Sequence, residues 1–283
     1  MATLTQLRAD VRSAANPTDA VFLQRFFKTG PGQYGAGDKF LGLRVPTLRS
    51  LVRKYKELPL ADRFKLLRSK YHEERLLALM LLVQAYERAD EKTQAKICRA
   101  YLGNTKYVNN WDLVDSSAPY IVGPEVGKSV SFTRLERLAG SKLLWERRIA
   151  MLATFQGIKQ NEWRPALKIG ALLLEDRHDL IHKAVGWMLR EVGKRDRAVE
   201  EKSFAGTAAP CRGRCCGTRS SISRRRRGGS ISRELFDPTE PQQLLRGRPS
   251  LREGRLNSGW LACRGLSPPA TRPSPLRGVL RCP

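Results

Sequence analysis

Up to about Lys202 the apolar positions recur with the three-to-four-residue spacing of amphipathic helices, as in Leu172, Leu173 and Leu174 followed by Leu180, Ala184, Trp187 and Met188. No stretch alternates in the two-residue period of a half-buried strand. Turn signals separate the helical stretches at Pro46, at Gly123 and Pro124, and at Gly140 and Ser141, while Gly30 to Gly37 predict a flexible loop. The pattern predicts an all-α chain.

Self-similarity narrows the architecture. Segments starting at Glu74, Asn110, Glu146 and His182 follow one another at intervals of 36 residues. Their fourth column reads Leu77, Leu113, Ile149, Val185 and their fifth reads Ala78, Val114, Ala150, Gly186. An aliphatic residue beside a small one, once per helix pair, is what stacked helical hairpins need for each repeat to cover its neighbour's apolar face. The expectation is a HEAT-like α-solenoid of stacked antiparallel helix pairs.

The neighbouring columns carry chemistry. The second reads Arg75, Trp111, Arg147, Lys183 and the third Leu76, Asp112, Arg148, Ala184, which predicts cations along one surface of the stack. The sixth reads Leu79, Asp115, Met151, Trp187, so a carboxylate stands where the other repeats are apolar. Trp111 and Asp115, four apart, share a helix face. In a groove rich in cations, an anion beside an indole suits hydrolysis of the glycosidic bond of an N-alkylated purine. Positive charge builds on the sugar, and the base already carries it. The spacing alone leaves plainer readings open: Trp111 as core, Asp115 bonded to an adjacent helix, Asp112 as an N-cap, Arg147 and Arg148 paired with Glu146 or other carboxylates.

Composition fits a polyanionic partner. The 283 residues carry a formal charge of +25, and cations that neutralise phosphates release counterions. No window reaches the roughly 18 apolar residues of a membrane span, and residues 1–20 lack a signal-peptide core, so the expectation is a cytoplasmic protein with no membrane partner. Cys98 precedes Lys202, whereas Cys211, Cys215, Cys216, Cys263 and Cys282 follow it. That distribution predicts neither zinc nor a structural disulfide. His178 and His182 stand four apart but lack an evident third ligand. No metal and no cofactor are expected.

Residues from about Gln24 to Lys194 resemble the AlkD family of DNA alkylation repair glycosylases. The likeness rests on Phe40-Leu-Gly-Leu-Arg-Val-Pro46, Asn110-Trp-Asp-Leu-Val-Asp115, Trp145-Glu-Arg-Arg148 and Lys183-Ala-Val-Gly-Trp-Met-Leu-Arg190, in that order. The resemblance implies a HEAT-like solenoid that removes cationic N3- and N7-alkylated purines, 3-methyladenine and 7-methylguanine, from duplex DNA without flipping the base into a pocket. It implies that Asp115 is the catalytic carboxylate, that Trp111 and Trp187 flank the lesion, and that Arg148 contacts the DNA backbone. Arg147, Lys183 and Arg190 are further candidates for DNA binding. The family's additional aromatic, usually Tyr, falls at Phe26. The expected enzyme is a monofunctional glycosylase acting as a monomer. Lys183 as a Schiff-base lysine, and a non-catalytic HEAT-like module that binds DNA or protein, are the rivals.

After Lys202 the character changes. Residues 203–283 contain no lysine, include Arg224 to Arg227 in a run, and are rich in Ser, Gly and Pro, which predicts a disordered tail. An arginine-rich nucleic-acid arm, a solvated charge run and a reading-frame shift in a G+C-rich gene all produce such a segment. The expected domain is therefore 1–202, without the family's closing helices. A solenoid lacking its end cap is expected to be less stable or soluble.

Overall fold

The computed structural model describes residues 3–199. The expectations for segment 203–283, and for the missing end cap, lie outside the described residues.

The helices follow in the order α1 (Leu4–Ser13), α2 (Pro17–Phe26), α3 (Val45–Lys54), α4 (Leu60–Leu67), α5 (His72–Arg88) and α6 (Glu91–Leu102). Then come α7 (Trp111–Asp115), α8 (Ala118–Ile121), α9 (Phe132–Ala139), α10 (Leu144–Ala153), α11 (Phe155–Lys159), α12 (Arg164–Leu173) and α13 (Asp179–Gly193). Short 3-10 turns occupy Thr105–Tyr107 and Gly123–Glu125. Among the described residues there is no strand, only isolated bridges between Lys39 and Tyr71 and between Val126 and Val130. No described helix is long and apolar enough to cross a membrane.

Local chemistry sets these boundaries. Thr3 and Gln6 form a capping box at α1, Asn16 caps α2 ahead of Pro17, and Asp90 and Ser131 accept from Thr93 N and Arg134 N at the starts of α6 and α9. Pro46 opens rather than separates. It lies in the first turn of α3, where a missing N–H leaves nothing unpaired.

The repeat columns fall where stacking requires. Helices α5, α7, α10 and α13, one from each 36-residue row, pack one against the next, while α4, α9 and α12 cover α5, α10 and α13. Leu77, Leu113, Ile149 and Val185 are at most 1% exposed, and Ala78, Val114, Ala150 and Gly186 beside them are buried. The small column lets the next helix approach, and the aliphatic column fills the contact at roughly 1.5–3 kcal/mol per side chain. The fold is an all-α, HEAT-like solenoid.

One motif has a clear structural reason. Gly42, in Phe40–Pro46, adopts φ +83°, and a Cβ there would lie 2.0 Å from the Asn16 carbonyl oxygen. The backbone N–H groups of Leu41, Gly42 and Leu43 all donate to the Glu73 carboxylate, the closest at 2.8 Å. The segment is thus a small anion nest on α5, and only glycine fits its turn against α2.

Candidate active site

Trp111 and Asp115 are the first and last residues of α7, which Asn110 starts by accepting from Trp111 N at 2.8 Å. Five residues make a helix too short to persist by itself, so its neighbours decide where these side chains stand. Both are half-buried. Asp115 is gripped by Arg148 of α10: Nε donates to Oδ1 at 2.8 Å and a terminal nitrogen to Oδ2 at 2.7 Å. The other terminal nitrogen of Arg148 donates to the Leu180 carbonyl of α13 at 2.5 Å. One guanidinium therefore joins three consecutive helices of the stack at the carboxylate. Burial pushes the Asp115 carboxyl above the usual range, with Arg148 opposing and Asp112 adding to the rise.

Trp111 is walled by aromatics. Phe27 stacks on it at 5.4 Å and Phe26 meets it edge-on at 6.1 Å. Phe26, where the missing tyrosine was expected, does reach the indole. A hydroxyl arrives from elsewhere, on Tyr34. Burial pushes its pKa up, and the Trp111 indole N–H works against that rise, as does Arg148 more weakly. The expected Gly30–Gly37 loop is folded against the site, with Gly35 so close that a Cβ would sit 2.5 Å from the Phe27 carbonyl oxygen. Between this loop, residues 105–109 and the start of α10 lies a cleft of about 490 Å³ lined by Tyr34, Lys106, Asn109, Lys142 and Trp145. Trp187 is half-buried on α13, its ring 6.1 Å from Phe155.

The expected row of solvent-facing cations is instead largely a row of ion pairs. Arg75 and Arg148 are only 4% and 5% exposed, the first bonded to Asp38 at 2.7 Å and the second to Asp115. Arg147 binds Asp176 at 2.5 Å and also donates to the Ser141 and Lys142 carbonyls. Glu146, the partner first suggested by adjacency, accepts from Thr105 and Ser141 instead. Adjacent residues on a helix point apart, so carboxylates from other elements of the stack, Asp38, Asp115 and Asp176, are better placed. Lys183 is exposed, while Arg190 is half-buried with its Nε lacking a hydrogen-bond partner. Of the two spaced histidines, His178 caps α13 by accepting from Leu180 N, and His182 bonds the Asp176 carbonyl.

A second polar group escaped sequence reasoning. His72, 1% exposed at the start of α5, bonds Asp112 at 2.7 Å through Nε2 and Asp38 at 3.2 Å through Nδ1. Burial disfavours a charged ring, yet Asp112 and Asp38 hold it protonated up to about 9. The signal available was the polar quartet His72-Glu73-Glu74-Arg75 heading an otherwise apolar run. All four are buried and each has a carboxylate, cation or backbone partner across the fold.

A solved structure described as a predicted DNA alkylation repair enzyme from Enterococcus faecalis shares this fold with a TM-score of 0.56 at 18% identity, over 73% of this chain and 95% of the other. No curated protein sequence gives a significant match. The sequence profile described as DNA alkylation repair enzyme matches residues 7–207, and the chain belongs to that family.

Proposed function

We propose that the chain is a monofunctional DNA glycosylase that hydrolyses the N-glycosidic bond of cationic alkylated purines, 3-methyladenine and 7-methylguanine, in duplex DNA. The observation that carries this reading is the Asp115 carboxylate, fixed in both oxygens by Arg148 and one turn from the Trp111 indole. As the bond between C1′ and the purine nitrogen breaks, its electron pair neutralises the departing base and the sugar becomes an oxocarbenium ion. Asp115 stabilises that cation and orients the water that adds to C1′, whose proton passes to the carboxylate or to solvent. A base that leaves neutral needs no strong general acid. Trp111 and Trp187 offer aromatic faces to the charged lesion. Lys183 and Arg190 are assigned to the DNA phosphates, and Arg148 to the phosphate nearest the carboxylate that it orients, whereas Arg147, bound to Asp176, is assigned chiefly to holding the fold. The protein is read as a cytoplasmic monomer, associated with the nucleoid in a bacterial cell.

A non-catalytic DNA-binding solenoid is the second reading, favoured by one fact: Asp115 is already neutralised by Arg148. Release of free 3-methyladenine and 7-methylguanine from methylated duplex DNA separates the two. The glycosylase reading expects release by the wild type and a loss of about 10²- to 10³-fold in Asp115→Asn with DNA binding retained. A folded, DNA-binding wild type that releases no base leaves the binding module.

A further inference from the structure

The Asp115 end of α7 is anchored by Arg148, and the opposite end has its own anchor. Asp38 accepts from Arg75 at 2.7 Å and from Asn109 Nδ2 at 2.9 Å on one oxygen, and meets His72 Nδ1 at 3.2 Å on the other. The far nitrogen of His72 bonds Asp112 within α7. The segment leading into α7 is thus held at Asn109 and again at Asp112, both times through the Asp38–His72 pair.

The ring sits in an aromatic stack as well as in a charge cluster. Phe40 lies 4.5 Å from it and Phe27 lies 4.9 Å away, and Phe27 carries the stack on to Trp111. A carboxylate on each nitrogen satisfies an imidazole only when both nitrogens bear hydrogen. The facing charges then balance: Asp38 and Asp112 against His72 and Arg75.

We propose that His72 is a positioning residue for the glycosylase site: by bridging Asp38 and Asp112 it sets the orientation of α7, and with it the Trp111 indole and the Asp115 carboxylate. This rests on the reaction proposed above. Asp112 is the tether, and His72 the link that ties it to the α5 face of the solenoid.

The experiment compares the full-length wild type, Asp112→Asn and His72→Gln. Single-turnover release of 3-methyladenine at saturating protein reads site geometry, and binding to duplex DNA carrying an abasic-site analogue reads affinity. The nitrogen-proton spectrum reads the Trp111 indole and the His72 ring directly. At pH 7.5 the wild type is expected to show both His72 ring N–H signals. Asp112→Asn should shift or broaden the Trp111 indole signal and slow release at least tenfold, with affinity within twofold and helical content unchanged. A His72→Gln protein that does not fold leaves Asp112→Asn to decide. The proposal is overturned if folded Asp112→Asn keeps the wild-type rate and an unmoved Trp111 signal, since a merely structural tie alters the melt alone. Should the wild type release no base, the glycosylase reading fails, while the Trp111 signal still decides whether His72 orients α7.

Discussion

Arg148 closes on Asp115 across the α7–α10 boundary, its Nε and one terminal nitrogen on separate carboxylate oxygens at 2.8 and 2.7 Å. The aspartate replaces an apolar residue of the repeat, since Leu79 and Met151 hold the equivalent positions and are fully buried. The pair therefore occupies ground that packing alone would fill. Breaking it from one side leaves a nearly buried charge, so Asp115→Leu and Arg148→Met should each destabilise the fold by about 3–5 kcal/mol. The double variant Asp115→Leu/Arg148→Met restores the apolar column, and it should match or exceed wild-type stability while releasing no base. Denaturant unfolding of the four proteins measures this; a double variant no better than the singles would show that the pair holds the fold rather than the chemistry.

The same contact fixes a pH dependence. Burial raises the Asp115 pKa, Arg148 pulls it back, and the proposed reaction uses the ionised carboxylate. Base release should therefore rise with pH through the Asp115 titration, and in Arg148→Gln this acidic limb should move to higher pH. The raised value also has a sign for folding. The native state holds the proton more tightly than the unfolded chain, so that contribution is present at low pH and lost as pH rises through the folded pKa. Single-turnover rates from pH 5 to 8 would read the limb, and a limb unmoved in Arg148→Gln refutes the assignment.

His72 has a stability dependence of the same sign, set at higher pH. Its pKa is raised from 6.5 to about 9, so the stability it supplies is full below 6.5 and lost as pH climbs through about 9. The quantity at stake is on the order of 3 kcal/mol. Thermal melts of wild type and Asp112→Asn from pH 6 to 10 should diverge, with the variant's decline beginning at lower pH. Parallel curves would contradict the role given to Asp112.

Gly42→Ala should be among the most damaging single changes. The new Cβ would meet the Asn16 carbonyl at 2.0 Å and the Ala20 nitrogen at 2.7 Å, at a φ that side chains rarely adopt. A loss of about 3 kcal/mol or more is expected from the denaturation midpoint. Because α2 is the element displaced and Phe26 stands on it beside Trp111, activity should fall as well.

Among the column cations, Lys183 and Arg147 should separate in a salt titration of DNA binding. Lys183 is exposed, so Lys183→Ala should reduce the slope of log affinity against log salt by about one. Arg147→Ala removes the partner of Asp176, and its main effect should appear in the melting temperature. Equal slopes for Lys183→Ala and wild type would remove Lys183 from the interface.

Helix period and the 36-residue columns made the stack legible because both are one-dimensional consequences of burial. Leu77, Leu113, Ile149 and Val185 all face the core as the columns implied. The pairing of Trp111 with Asp115 was legible for the same reason, being a spacing on one helix. Contacts between rows were not. Asp38 lies 34 residues from His72 and His72 lies 40 from Asp112, and no periodicity links positions joined by charge alone. For that reason a column of arginines looked like an open basic surface, and its carboxylate partners became visible only once adjacent repeats were packed. Tyr34 was hidden differently, on a glycine-rich turn whose folded path has no sequence period.

The shortness of α7 governs how the protein ages under heat. A five-residue helix has little cohesion of its own and is held by its buried Leu113 and Val114, by His72 on one side and by Arg148 on the other, so it is expected to detach when either polar grip loosens, before the long helices beside it melt. Warming should then silence the enzyme while its far-ultraviolet spectrum still reads as folded. The interval between those two temperatures measures how firmly the stack holds its shortest member.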